Sequence, residues 1–353
     1  TCDRHLVESI SGVITRSKFI LIPLATLLTW WINIAIPSAA GCSAAVGSIL
    51  IPTLMAAGVH PAMAAAAILA GTWGSAISPG QAHNIFVADL AQTDLMTVIM
   101  AQVPAAIVAS IVAVITLTII ATMRKEGPDE ARRLAYHAQL EKEEGGKDFK
   151  VNSLYALVPL VPLVLLVLGS KQLAVLPLTD VPTAMIVGTV LALIVTRQNP
   201  QEITKKFFDG MGEAYGGVIG LIVSAAVFTA GMAAMGLTDA LIEAMKGSES
   251  IAKIAGAFGP FIIAVISGSG DAAALAFNGA ITPQAASFGM SIIDLGSLAQ
   301  MAGSIGRSMS PVAGAALVCA GLAKVSPMEL SKRNALPMLL ATITFMIVLF
   351  LGK

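Results

Sequence analysis

Two charged side chains stand where the surrounding sequence is apolar enough to lie in a membrane. Arg307 sits in AGSIGRSMSP (302–311), and Asp271 closes the stretch SGSGD (267–271). A charge at mid-membrane costs at least about 2.5–3.5 kcal/mol, so such residues face protein or an aqueous cavity and mark a function. The planar guanidinium fork matches a carboxylate through two parallel hydrogen bonds. Arg307 therefore has two roles open to it: contact with an anionic substrate, or a clamp on Asp271 and on carbonyls freed by a broken helix. Asp271 has three: an ion pair with Arg307, a ligand for a coupling cation, or a carrier of a proton.

Small polar residues gather around these two. Ser38, Gly41 and Ser43 lie in one short apolar interruption; Ser267, Ser269 and Gly270 lie beside Asp271; Ser304, Ser308 and Ser310 flank Arg307. Ser78 belongs to a further interruption that also holds Gln81, His83 and Asn84. Hydroxyls supply donors and acceptors, and glycine lets backbone N–H groups approach a ligand closely. Each residue alone reads equally well as helix packing, where small residues let membrane helices approach. Their clustering favours a binding site. Ser38, Ser267 and Asp271 are the candidates for a coupling ion, either Na⁺ at the hairpin tips or a proton.

Composition narrows the class. The chain has 353 residues, 56% hydrophobic and 12% charged, against about 25% charged in soluble domains. That excludes an ordinary soluble enzyme. The net charge is zero, so nothing invites nucleic acid. Cys2, Cys42 and Cys319, with four scattered histidines, form no metal set, and no nucleophile–base pair or cofactor motif is present.

The elements that must position these residues come in two sets. Residues 19–57 form two short apolar arms around SAAGC (38–42), which reads as a small, flexible tip. Arms shorter than the roughly 20 residues of a span predict a re-entrant hairpin. Residues 61–90 predict a helix broken at 71–81, and 95–123 a clean span. Residues 124–150 hold seven basic and seven acidic residues and read as a solvated loop or surface helix. The second set has spans at 154–169, 181–196 and 215–236, with amphipathic interfacial stretches at 199–212 and 238–250. It continues with a hairpin at 251–283, a broken helix at 292–323 containing Arg307, and a last span at 327–351.

The two sets share a motif. At an offset of 232 residues, AGTWGSAISP (70–79) matches AGSIGRSMSP, with Ala70/Ala302, Gly71/Gly303, Gly74/Gly306, Ser78/Ser310 and Pro79/Pro311 identical. Ser75 stands opposite Arg307. Paired interruptions in two halves of a membrane chain are the best sequence pointer to a transporter's binding site. The expected fold is an all-α polytopic membrane protein of two inverted repeats, 1–123 and 151–353, each with a re-entrant hairpin and a broken transmembrane helix. The first repeat lacks counterparts to the three spans of 154–236, so about a hundred residues are expected upstream of Thr1. With 124–150 placed in the cytoplasm, sixteen of the 21 Lys and Arg fall on the inside, as the positive-inside rule requires. The C-terminus is then periplasmic.

SGSGDAAALAF (267–277), GSIGRSMSPVAGAALVCAGLAKVSPMELSKRNALP (303–337) and PSAAGCSAAVGSILIPTLMAAGVHPAMAAAAILAG (37–71) resemble the DcuC family of bacterial anaerobic four-carbon dicarboxylate transporters. The resemblance covers nearly the whole chain and is most specific in the second half. It implies movement of succinate, fumarate or malate across the inner membrane. More distantly, the family is similar to the ion transporter superfamily. That implies a homodimer in the lipid bilayer, with a scaffold and an elevator-type transport domain built from the hairpins and broken helices. An amino acid or other organic acid as cargo, and an ion channel, remain the alternatives from the residues alone.

Overall fold

The computed structural model describes residues 20–143 and 248–351 continuously, and between them 161–168, 181–197, 199–214 and isolated positions. The basic stretch 1–18 and most of 215–236 and 238–247 lie outside the described residues. Every regular element among those described is helical. The first set runs α1 (Leu21–Ala35), α2 (Ala39–Ala56), α3 (Pro61–Ala70), a 3₁₀ turn (Gly74–Ile77), α4 (Ala82–Leu90) and α5 (Leu95–Met123). α6 (Glu130–Glu143) follows, then α7 (Val161–Leu168), α8 (Val181–Thr196) and the amphipathic α9 (Pro200–Ala214). The second set is α10 (Glu249–Ser267), α11 (Gly270–Ala280), a 3₁₀ turn (Thr282–Phe288), α12 (Ile292–Arg307), α13 (Gly314–Ala323) and α14 (Pro327–Leu349).

Local chemistry sets the helix ends. Pro61 and Pro327 open α3 and α14, at the position where a missing N–H costs nothing. Asp94, Ser248 and Ser291 cap α5, α10 and α12 by accepting from Thr97, Ile251 and Asp294 N–H. α10 ends at Gly268 with φ +76°, the left-handed conformation that glycine adopts without strain. SAAGC is not a loop. Ser38 caps α2 through Gly41 N–H at 3.1 Å, and Ala39 to Cys42 form its first turn.

Burial separates lipid-type faces from the interior. Residues 61–90, 95–123, 249–267 and 327–349 are long and apolar enough to cross a membrane. On α5, Ile107, Ile111, Ile115 and Ile119 are exposed at every fourth position, one stripe of the helix surface. α3 is the opposite: Ala62 to Ala70 are all buried, so this alanine-rich helix is enclosed by protein. α5 packs along α14, α13 along α2, and α10 and α11 along α12. Two glycines 232 residues apart make the same kind of contact. A Cβ on Gly74 would lie 1.9 Å from Trp30 O of α1, and one on Gly306 would lie 2.5 Å from Phe261 O of α10.

The 124–150 stretch is more than a solvated loop. Asp129 N–H donates to Gly58 O, and Arg132 Nε donates to the same carbonyl at 2.9 Å. Glu126 is buried and forms a bidentate pair with Arg333 of α14. Arg333 also donates to Glu329. Arg333 is thus a second enclosed arginine beside Arg307, consumed by a structural ion pair.

Candidate functional site

The helix breaks and hairpin tips meet. α3 ends at Gly71 and α12 at Arg307, and Thr72 Oγ1 lies 3.1 Å from Ser308 Oγ. Two helix C-termini therefore face each other, with the negative ends of their dipoles. Arg307 fills this junction. Its Nη2 donates to Thr72 O at 2.8 Å and to Ser75 Oγ at 3.4 Å. Ser75, the offset partner of Arg307, is thus one of its ligands.

Around that junction stand four helix N-termini. A Cβ on Gly314, at the start of α13, would lie 3.8 Å from Ala40 Cβ at the start of α2. One on Gly268, which leads into α11, would lie 2.9 Å from Ala313 N. His83, in the first turn of α4, reaches Asp271 in the first turn of α11. Gln81 Nε2 returns from the start of α4 to Pro37 O, just before α2, at 3.0 Å. The contacts close a ring of α2, α13, α11 and α4. Helix N-termini present unpaired N–H groups and partial positive charge, which suits an anion.

The caps differ around the ring. Ser38 accepts from Gly41 N–H and Ser269 from Ala272 N–H, so the hairpin tips use their own hydroxyls. α4 and α13 begin at Gln81 and Ala313 without a side-chain cap. Ser267 Oγ accepts from Ser269 N–H and Ser310 Oγ from Val312 N–H. Ser43 and Ser304 are buried. Gly270 is pressed on α12, where a Cβ would lie 2.6 Å from Gly303 O.

Asp271 lies between two cations or potential cations. Its Oδ1 is 3.2 Å from His83 Nδ1 and 4.0 Å from Arg307 Nη1. The Asp271 side chain is 31% exposed, against 9% for Arg307 and 0% for His83. Among the described residues, Arg307 Nε, His83 Nε2 and Ser304 Oγ are buried here without a hydrogen-bond partner. Unpartnered buried donors and acceptors are costly, and they mark where a ligand would be held. Among the described residues, no group of three or more His, Cys, Asp or Glu forms a metal cluster.

Of the residues singled out in the sequence, Asp271, Ser304, Arg307 and Ser308 come together at the junction, with Gly270 and Ser269 at its edge. Ser38, Gly41 and Ser43 lie at the start of α2. Ser78 Oγ accepts from Gly80 N–H. Asn84 is a hub with all four valences engaged. Its Nδ2 donates to Ala76 O and Ser78 O, and its Oδ1 accepts from Gln102 and Gln300. His83 on Asp271 was not foreseen, nor were Thr72 and Ser75 on Arg307. The signals available were a histidine inside an apolar stretch and the repeat offset itself.

Several apolar spanning helices around an enclosed charged centre define a polytopic helical membrane protein. The chain belongs to the DcuC family, described as C4-dicarboxylate anaerobic carriers, whose pattern matches residues 5–353. It is a transporter and not an enzyme. It is similar to an uncharacterized transporter of Haemophilus influenzae, 41% identical over 76% of this chain and 97% of that protein. It is also similar to the anaerobic C4-dicarboxylate transporters DcuC of Vibrio cholerae, at 27% identity, and Escherichia coli K12, at 26%. Those matches cover 94% and 93% of this chain, and 73% and 71% of the respective relatives.

Proposed function

We propose that the protein is a secondary active transporter of small carboxylates, above all four-carbon dicarboxylates such as succinate, fumarate and malate. The ring of four helix N-termini around Arg307 is the observation that carries this reading, because it combines partial positive charge with a guanidinium whose Nε is unspent. The names of the DcuC relatives support the same substrate class.

In this reading the two hairpins are re-entrant and the two sets of helices are inverted repeats. The meeting of α3 and α12 at their C-termini supports that, since half-helices entering from opposite faces would end so. The hairpins and broken helices would move as an elevator-type domain in a homodimer of the bacterial inner membrane. Transport would run by exchange or by coupling to protons or Na⁺ at Asp271, with Ser38 and Ser267 at the hairpin tips.

The test is uptake of labelled succinate into proteoliposomes, with mono-, di- and tricarboxylates and amino acids as competitors. Four-carbon dicarboxylates should compete best, and saturable counterflow separates a carrier from a channel. Arg307→Ala should lower succinate exchange about thirtyfold or more, since removing one partner of a buried charge contact costs roughly 2–5 kcal/mol. Full exchange in a folded Arg307→Ala protein would sink the assignment.

A further inference from the structure

The site brings a carboxylate, a guanidinium and an imidazole into contact range. Asp271 is 4.0 Å from Arg307 and 3.2 Å from His83. Among the described residues, no other cation is paired with Asp271. Its own helix and α10 offer none at this end, because Lys253 is paired with Glu249 at the opposite end of α10. On α12 the other ionisable side chain is Asp294, in its first turn, and on α4 it is Asp89 in the last turn. Cys42 of α2 is the remaining ionisable group beside Arg307.

A carboxylate arriving at Arg307 breaks this balance. It brings a second negative charge beside Asp271 in a site closed on most sides. Two carboxylates sharing one site do not both stay ionised without a compensating charge. His83 is placed to supply it. Its Nδ1 is already engaged with Asp271, while Nε2 is buried with no protein partner. Protonation turns Nε2 into a second donor, and a substrate carboxylate oxygen is a partner the protein itself does not provide.

We infer that anion binding at Arg307 takes up one proton on the His83–Asp271 pair, so that His83 is a coupling residue of the transport cycle. The inference rests on the carboxylate reading above and deepens it. It names the coupling ion as a proton and adds a residue from the first set of helices to a charge centre that otherwise belongs to the second. Nδ1–H already donates to Asp271 Oδ1, so the proton taken up is carried on Nε2, where it faces the substrate carboxylate. No bond other than that to the proton is made or broken. Substrate and proton then enter together and leave together. Since the interaction is reciprocal, raising pH lowers substrate affinity, by about tenfold per pH unit where one proton accompanies each substrate.

The experiment is calorimetric titration of the purified full chain with succinate at one pH in two buffers of different ionisation enthalpy. The difference in heat gives the protons taken up per succinate bound. The expected value is about one for the native protein and about zero for His83→Gln and for Asp271→Asn. Elution as a folded oligomer checks both variants. Binding of succinate by the native protein with no proton uptake overturns the inference and leaves the carboxylate reading standing. Undiminished uptake in His83→Gln removes His83 from the coupling. Failure of succinate to bind the native protein removes the carboxylate reading, and the inference falls with it. The native proton count carries the test even if a variant does not fold.

Discussion

The two helix breaks stand 232 residues apart in sequence, meet in space, and are held open by different means. In the first, side-chain amides add to tight backbone turns such as Ala76 N–H to Trp73 O and Ser78 N–H to Ser75 O. Asn33 Oδ1 accepts from Ser75 N–H at 2.8 Å, Asn84 takes Ala76 O and Ser78 O, and Gln81 takes Pro37 O. Trp73 stacks edge-on against Trp30 with ring centres 5.6 Å apart. In the second, tight turns do most of the work: Met309 N–H returns to Gly306 O and Ser310 N–H to Arg307 O. Asn334 adds a bond to Ser308 O from α14. The first break is therefore a platform whose polar groups are mostly engaged, with His83 Nε2 and Trp73 Nε1 the exceptions among the described residues. The second retains unspent groups at Arg307 and Ser304. Two breaks that share a sequence motif thus support unequal chemistry, because the residue facing Ser75 is an arginine.

The largest effect that separates the breaks is steric. Gly74 and Gly306 are offset partners, but the space beside them differs. A Cβ at Gly74 would lie 1.9 Å from Trp30 O, and at Gly306 2.5 Å from Phe261 O. Both require backbone to move, and overpacking of this kind costs typically about 1–3 kcal/mol and occasionally more. Gly74→Ala should fall at or beyond the upper end, and Gly306→Ala within the range. Thermal unfolding of the two variants in detergent checks the order. Equal losses would mean that the platform is no more rigid than its partner.

A smaller effect should come from Asn84. It ties α4 to α5 and α12 through Gln102 and Gln300. Polar contacts between membrane helices average only about 0.6 kcal/mol, so four of them amount to roughly 2 kcal/mol. Asn84→Leu should lower stability by about that much. It should also weaken exchange, because Asn84 adjoins His83 on the same helical turn. If stability drops with exchange unchanged, the hub holds the fold without holding His83.

What the sequence makes legible follows from local signals. The interruptions at 71–81 and 302–311 carry Gly, Ser and Pro inside apolar helices, and such residues announce themselves without tertiary information. The start of α2 did not. Ser38 to Cys42 has the small residues of a flexible tip, yet the same residues suit a helix turn packed closely on its neighbours, here capped by Ser38. The charge pairs were hidden for another reason. His83 meets Asp271 across 188 residues and Arg333 meets Glu126 across 207, and no spacing rule links positions so far apart. In the sequence Arg333 counts only as one of the sixteen Lys and Arg on the inside, although it is as enclosed as Arg307. The Arg307–Ser75 contact was not foreseen either, although the 232-residue offset relates these two positions.

That contact gives the smallest effect and the finest test. Ser75 Oγ lies 3.4 Å from Arg307 Nη2, at the long end for a hydrogen bond, while Thr72 O accepts from the same nitrogen at 2.8 Å. The carbonyl, fixed by the C-terminus of α3, is the stronger anchor, and it survives side-chain substitution. Ser75→Ala should therefore cost no more than about 0.6 kcal/mol, the average for one such contact, and change the KM for succinate less than threefold. Ser75 also holds its place by backbone, through Asn33, which alanine leaves intact. A loss of exchange approaching that of Arg307→Ala would show that the hydroxyl, and not the helix-end carbonyl, orients the guanidinium. The two breaks would then act on the charge as partners, and the first could no longer be regarded as the passive one.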